Sequence, residues 1–329
     1  MLFVTAVDMD YPEYTEELSR QFWMRVWSRD EGITEDEHFT QAAKKAGMKD
    51  DIIKKALKRS KDKDVADRLQ AFADEARANG AFGAPTMIVH VNGEKEMLFG
   101  SDRFNILAEM LGEKFDGPQN QLSKNKILTR YKSKWKNMDL KLKPLSQDAV
   151  LQGSGNQLPG NVPIKMQYIL QDLARLGQHN EVPFKIPSDL KDVMFVKGSR
   201  PAMLFLTAVD MNHPEYTEEL SRQLWLRVWS RDEGITTDDD ISEAATKAGI
   251  KKEMIVKCLN SAKEQYVSDQ FKAYTDEALS LGTFGTPTIV IHNNGKKELI
   301  FGSDRFDLVA NLIGEIYEGP LNELSKIKQ

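Results

Sequence analysis

The chain has 329 residues, 40% of them apolar and 29% charged, and carries a net charge of −5. That length ordinarily holds two domains with ample material for a core, and the composition excludes a disordered or fibrous chain. So small a net charge supplies no global field for nucleic acid, and a single cysteine, Cys258, excludes an intrachain disulfide framework and any CxxC redox pair.

No apolar run approaches the roughly 20 residues of a membrane span. Residues 1–7 are too few for a signal peptide and lack a basic flank, so no targeting segment is visible. An intracellular chain with neither membrane nor nucleic-acid partners is expected, and the basic run 124–143 reads as a solvated helix and strand face. MLFVTAVDM at the N-terminus matches MLFLTAVDM at 203–211. Subtracting 85 from 287 gives an offset of 202, and the same offset pairs Trp27 with Trp229 and Gly112 with Gly314 without a gap. The chain therefore divides into 1–127, a partial unit of helices followed by β-β-α, and 128–329, a longer unit whose residues 128–202 occur once.

In chain order, residues 13–27 place Leu18, Phe22, Val26, Trp23 and Trp27 at spacings of three and four, which predicts a helix with one broad apolar stripe and both tryptophans in the core. Thr34 followed by Glu37 predicts a capping box, and 67–79 another helix ending at Gly80. Residues 82–104 then give Gly83-Ala84-Pro85 entering a strand, an Asn92-Gly93 hairpin turn, a second strand, and Gly100-Ser101-Asp102-Arg103 opening a helix. Residues 284–306 repeat this with Gly285-Thr286-Pro287, Asn294-Gly295 and Gly302-Ser303-Asp304-Arg305.

Within the unique segment, residues 127–135 read as the later turns of a helix, and Met138 to Lys143 alternates apolar and polar before Pro144, which predicts a strand. Gly153-Ser154-Gly155-Asn156 is a loop whose small residues let backbone amides approach a ligand, and 166–176 resumes helical spacing. A helical insertion inside an α/β sheet follows from this order.

The chemistry-bearing candidates are few. Proline cannot donate to a sheet ladder, so one at a strand entrance leaves neighbouring backbone able to pair elsewhere. Spacing alone favours a trans bond there, because cis is only about 5% of X-Pro bonds. A serine or aspartate at a helix start caps free amides or holds an anion, and an adjacent Asp-Arg offers an acceptor beside a fork of donors, suited to a zwitterionic ligand. The five histidines (His38, His90, His179, His213, His292) have no metal-ligand spacing, so no metal is expected. No phosphate loop, Gly-x-Ser-x-Gly or dinucleotide fingerprint occurs. Cys258 has Ala56 as its equivalent, which points to packing.

ELSRQLWLRVWSRDEGIT, FGTPT, LIFGSDRF, GSGNQLPGNVPIKMQYIL and KGSRPAMLFLTAVDM together resemble kappa-class glutathione transferases, which share the DsbA-like thioredoxin fold. The resemblance covers nearly the whole chain, once as a partial copy and once as a nearly complete one. It implies a cis bond before Pro287 and Pro85, with the backbone at Thr286 and Ala84 pairing with glutathione. It also implies that Asn156 and the pair Ser303 and Asp304 hold the ends of that co-substrate, with Ser101 and Asp102 their first-copy equivalents and Lys165 a supporting cation. The reaction implied is attack of glutathione thiolate on small electrophiles or peroxides, in mitochondria or peroxisomes, by a homodimer or an intramolecular pseudo-dimer of the copies.

The sequence departs from that family at one point. A kappa enzyme opens with a strand leading to a Ser-Pro-Tyr-Ser-Trp turn whose serine favours the thiolate, and neither copy contains it. Lowering a thiol pKa from near 8.5 by about 2 units takes about 2.7 kcal/mol, for which no donor is named here. No residue is therefore assigned as catalytic, Ser199 before Arg200-Pro201 included. A non-catalytic glutathione-binding or scaffold module, or an incomplete gene model of the enzyme, is the alternative.

Overall fold

The computed structural model describes residues 1–113, 115, 135–179, 183–190, 198–293, 295–303 and 305–317. The chain divides into two compact units, Met1–Phe99 and Gly100–Gln329.

The first unit runs α1 (Leu2–Asp10), α2 (Thr15–Arg29), α3 (Asp36–Lys45), α4 (Asp50–Arg59), α5 (Lys63–Ala78), β1 (Thr86–Val91) and β2 (Glu94–Phe99). Helix α2 carries Glu16 and Glu17 in its first turn and Arg29 in its last, each complementing the helix dipole, and ends at Asp30 in the left-handed region with φ 51°. Its inner face buries Leu18 fully and sets Phe22 edge-on to Phe39, 5.9 Å between ring centres, while Phe3 stacks on Phe39 at 5.4 Å. Val7, Ala42, Ala43 and Ile53 complete this core.

Trp23 and Trp27 are not in it: they are 64% and 84% exposed. The residues that point inward are Leu18, Phe22 and Arg25; Trp23 sits about 100° round the helix from Phe22 and Trp27 about 200° from Arg25, both off the buried face. The capping box also falls one residue later than expected, formed by Glu35 and His38, with His38 Nδ1 accepting from the Glu35 and Thr34 amides at 3.1 and 3.2 Å.

The second unit contains α6 (Phe104–Met110), α7 (Gln147–Ser154), α8 (Pro163–His179), α9 (Arg200–Asn212), α10 (Thr217–Leu226), α11 (Asp238–Lys247), α12 (Lys252–Ser261), α13 (Gln265–Ser280), β3 (Thr288–Asn293), β4 (Lys296–Phe301) and α14 (Phe306–Ile313). Beyond α10 the chain continues as a wider π-helical turn through Arg231. One core, including Phe205, Val209, Leu220, Ile241 and Val267, joins α9 to α13. Cys258 lies buried in it, and burial pushes its thiol pKa up, as a packing residue requires. A smaller core of Trp135, Ile291, Phe306, Val309, Ala310 and Tyr317 ties α14 to its hairpin.

Each hairpin is a two-stranded antiparallel sheet by itself. In β1–β2, Thr86 faces Phe99 and Val91 faces Glu94, which leaves Asn92 and Gly93 as a two-residue turn with φ 53° and 83°. In β3–β4, Thr288 faces Phe301 and Asn293 faces Lys296. Gly295 again has positive φ, and Asn294 lies outside the described residues.

The expected strand at Met138 to Lys143 does not form, and among the described residues neither hairpin gains a third strand. A strand exists only where a neighbour takes its backbone hydrogen bonds, and neither hairpin pairs with this segment. It is instead pinned at its ends. The Asn137 amide donates to Glu315 at 2.7 Å, and the Lys143 ammonium lies 3.5 Å from Asp210 and 4.3 Å over the Tyr274 ring. Residues 127–134 of the expected helix, and Lys124 with most of its basic run, lie outside the described residues. Trp135 is buried but not helical, its indole N–H donating to the Ile316 carbonyl at 3.0 Å. No described helix is long and apolar enough to cross a membrane.

Candidate functional site: the proline loop of the second unit

Loop 284–287 is the best-determined candidate. The peptide bonds Thr286–Pro287 and, in the first unit, Ala84–Pro85 are both cis. The loop is held from four sides. Asn156, just beyond the left-handed Gly155 that ends α7, donates from Nδ2 to the Phe284 carbonyl at 2.8 Å, while its Oδ1 accepts from the Gln157 amide at 2.8 Å. Thr288 Oγ1 donates to the Gly285 carbonyl at 2.7 Å, and the Gly302 amide donates to the Pro287 carbonyl at 3.1 Å. The Phe284 and Phe301 rings lie 4.6 Å apart, and a Cβ on Gly285 would meet the Phe301 ring at 3.1 Å. A side chain there would be tight against the ring, and at Gly302 the φ of 99° favours glycine. Thr286 and Pro287 stay exposed on this fixed base, as does Ser303. Asp304 lies outside the described residues.

Lys165 sits half-buried in the first turn of α8. The same face of that helix, one and two turns on, carries Tyr168 and Asp172. Both carboxylate oxygens of Asp172 accept from Arg103, at 3.0 and 2.9 Å, and Tyr168 Oη donates to Oδ1 at 3.1 Å. Burial opposes the Arg103 charge, but the hydrogen bonds and charge of Asp172 outweigh it and hold the guanidinium pKa above its ordinary value. At the end of α8, His179 bridges Asn105 at 2.9 Å and Glu109 at 2.7 Å, both on α6.

In the first copy the Ser-Asp-Arg does not cap its helix through side chains. Neither Ser101 nor Asp102 makes a side-chain cap; Asp102 pairs with Arg103, and the arginine fork closes on Asp172 instead of facing a ligand. The reason is the buried acid on α8, whose charge must be paired. The first-copy residues are also divided, Ala84 and Pro85 in one unit, Ser101 and Asp102 in the other. In the first unit the loop is held by the same aromatic pair, Phe82 and Phe99 at 4.6 Å, and Thr86 Oγ1 donates to the Gly83 carbonyl at 2.7 Å. Phe284, Phe301, Tyr168 and Asp172 were not singled out in the sequence. The recurrence of phenylalanine just before each Gly-X-Pro, and 17 residues later before the next glycine, was the available signal for the first two.

Helices inserted ahead of a cis-proline hairpin and closed by a further helix define a thioredoxin-like unit of the DSBA type. A family model described as DSBA-like thioredoxin domain matches residues 2–112 and 124–314. Human glutathione S-transferase kappa 1 is 43% identical over 195 residues, 59% of this chain and 86% of its own length, and the rat protein of that name gives the same figures. Glutathione S-transferase kappa 1 of Caenorhabditis elegans is 28% identical over 189 residues, covering 57% and 82%. The chain belongs to the kappa-class glutathione S-transferase family.

Proposed function

We propose that this chain binds glutathione at loop 284–287 and transfers it to small electrophiles. The observation that carries this reading is the exposed Thr286–Pro287 backbone, fixed in place by Asn156, Thr288, Gly302 and Phe301. Such a base costs no reorganisation when an extended peptide pairs with it. Thr286 supplies the backbone pairing, Ser303 and Asp304 the groups for the γ-glutamyl end, and Lys165 the supporting cation. Asn156 acts through the loop, since its amide is already engaged with Phe284 and Gln157. In the transfer the glutathione thiol gives its proton to solvent, and the sulfur forms a bond to carbon as the leaving group departs with its electron pair. With a peroxide, two glutathione molecules are oxidised to the disulfide as the O–O bond breaks.

A second reading, a glutathione-binding module without turnover, is favoured by one observation. Each hairpin is two-stranded, and no described strand lies beside it to carry a thiolate-stabilising serine. Calorimetric titration with glutathione and a turnover assay with an aryl halide decide between them. Binding with turnover is the expected result, binding without turnover selects the module, and no binding overturns both.

A further inference from the structure

Ten consecutive residues, 25–34 and 227–236, are identical in the two copies. In the second unit they form a receptor that holds the segment 183–190. Phe184 stacks on Trp229 with ring centres 6.0 Å apart and planes 12° from parallel, and the Lys185 amide donates to the Trp229 carbonyl at 2.7 Å. Asp232 accepts from the Ser188 amide at 2.9 Å and pairs with the Lys185 ammonium at 3.3 Å. Pro187 is buried in a cleft of about 160 Å³ shared with Val228, Glu233 and Ile235. The Ser188 amide, followed by Lys185, draws the Asp232 carboxyl pKa down, as a ligated carboxylate requires.

In the first unit Arg25 is again buried, but the outer residues of the same stretch stand exposed. Trp27 and Ile33 are exposed where Trp229 and Ile235 are half-buried, and Asp30 repeats the left-handed turn of Asp232, with φ 51° against 60°. The neighbouring receptor surface has not been kept in this way. In the second unit α7 packs on α13, with Gly153 against Leu279 and the Ser146 amide donating to Thr275. The equivalents in α5 are Arg77 and Ala73, which could neither bury that contact nor accept that bond.

We propose that the surface formed by Trp27, Asp30 and Ile33 is a docking site for an extended segment of another polypeptide, one carrying an aromatic residue followed by lysine and, two residues on, proline. Its chemistry is set by the occupant of the twin receptor: a ring for Trp27, a backbone N–H for the Trp27 carbonyl, a cation for Asp30 and an apolar ring for Ile33. The chain holds two receptors and one Phe-Lys-Ile-Pro-Ser segment, so its own segment cannot fill both. In the second unit Gly177 of α8 also lies close against Phe184, where a Cβ would come within 2.8 Å of the Phe184 Cβ; the first copy has no counterpart of α8 in its sequence, so an occupant there has fewer partners and binds weakly.

The test is fluorescence anisotropy of a labelled octapeptide of residues 183–190 titrated with the full-length chain. Saturable binding is expected, weakened about tenfold by Trp27→Ala, by Asp30→Asn, or by alanine for phenylalanine in the peptide, the size of a lost aromatic stack or a charged hydrogen bond. Trp229→Ala and Asp232→Asn in the protein are expected to leave it unchanged within about twofold. The exposure of Trp27 and Asp30 makes misfolding of their variants a poor explanation for loss, and circular dichroism checks it. Absence of saturable binding, or sensitivity to the 229 and 232 variants alone, overturns the proposal. So does concentration-dependent self-association that Phe184→Ala abolishes, which would make a second copy of this chain the occupant.

Discussion

Residues 25–34 and 227–236 share one sequence and have two environments. Trp229 is covered by Phe184, whereas Trp27 is 84% exposed. Arg25 and Arg227 are both buried and both donate to a glycine carbonyl, Gly32 at 2.8 Å and Gly234 at 2.7 Å. Beyond that they part. Arg227 pairs with Glu243, Asp240 and Glu233, while Arg25 pairs with Glu31 and donates to Gln41 Oε1. Identical local sequence fixed the left-handed end, although the last turn before it is α-helical in the first copy and π-helical in the second. The segments and side chains brought against it fixed what is buried and what is charged.

The largest predicted contrast is at the arginines. Arg227→Leu leaves three acids facing one another, and we expect a loss of about 3 kcal/mol, at the lower end for a broken buried pair because the acids are partly solvated. Arg25→Leu strips one acid and two neutral acceptors, and about 1 to 2 kcal/mol is expected. Urea midpoints of the two variants measure this, and equal losses would erase the distinction between the copies.

Next come the tryptophans. Trp229→Ala removes a half-buried ring stacked on Phe184, for an expected cost of about 2 kcal/mol, less than a fully buried ring would give. Trp27→Ala should stay within about 0.5 kcal/mol. Thermal unfolding of the pair sharpens the reading of 183–190 as the covering segment.

Asn156 ties the second proline loop and has no counterpart in the first copy's sequence. Asn156→Ala is expected to weaken glutathione binding about fivefold, the scale of one hydrogen bond, with the melting temperature little changed. An unchanged affinity measured by calorimetry would detach this residue from the site.

The smallest effect is a pH dependence. Lys247 first, then Arg227, holds the Glu243 carboxyl at about 2, below its ordinary 4.5. A lowered folded-state pKa contributes stability that is present above 4.5 and is lost as pH falls toward about 2. The second unit should therefore lose stability over that interval more steeply than the first, whose equivalent residue is Gln41. Glu243→Gln should flatten the slope and Gln41→Glu should introduce one, as acid titration of unfolding would show.

Much of this was legible in the sequence. The hairpins followed from Asn-Gly turns and alternating residues, the packing role of Cys258 from its alanine equivalent, and the family from segments in the right order. The tryptophan positions were not legible, because spacings of three and four give a stripe without saying whether a partner exists for its edges. Met138 to Lys143 has the alternation of a strand, yet pairing is a property of two segments and no described strand pairs with it. Arg103 looked ready for a ligand because the acid that claims it, Asp172, is 69 positions away.

What the sequence determined by itself was local: the helices and their ends, the tight turns that need positive φ, and the duplication, since backbone preference and short-range hydrogen bonds depend on near neighbours. Tertiary structure alone decided which copy of an identical surface is covered, which arginine gathers three acids, and that Asn156 reaches Phe284 across 128 positions. Burial and charge pairing are set by groups distant in the chain, and two copies with the same residues can therefore differ in what they hold.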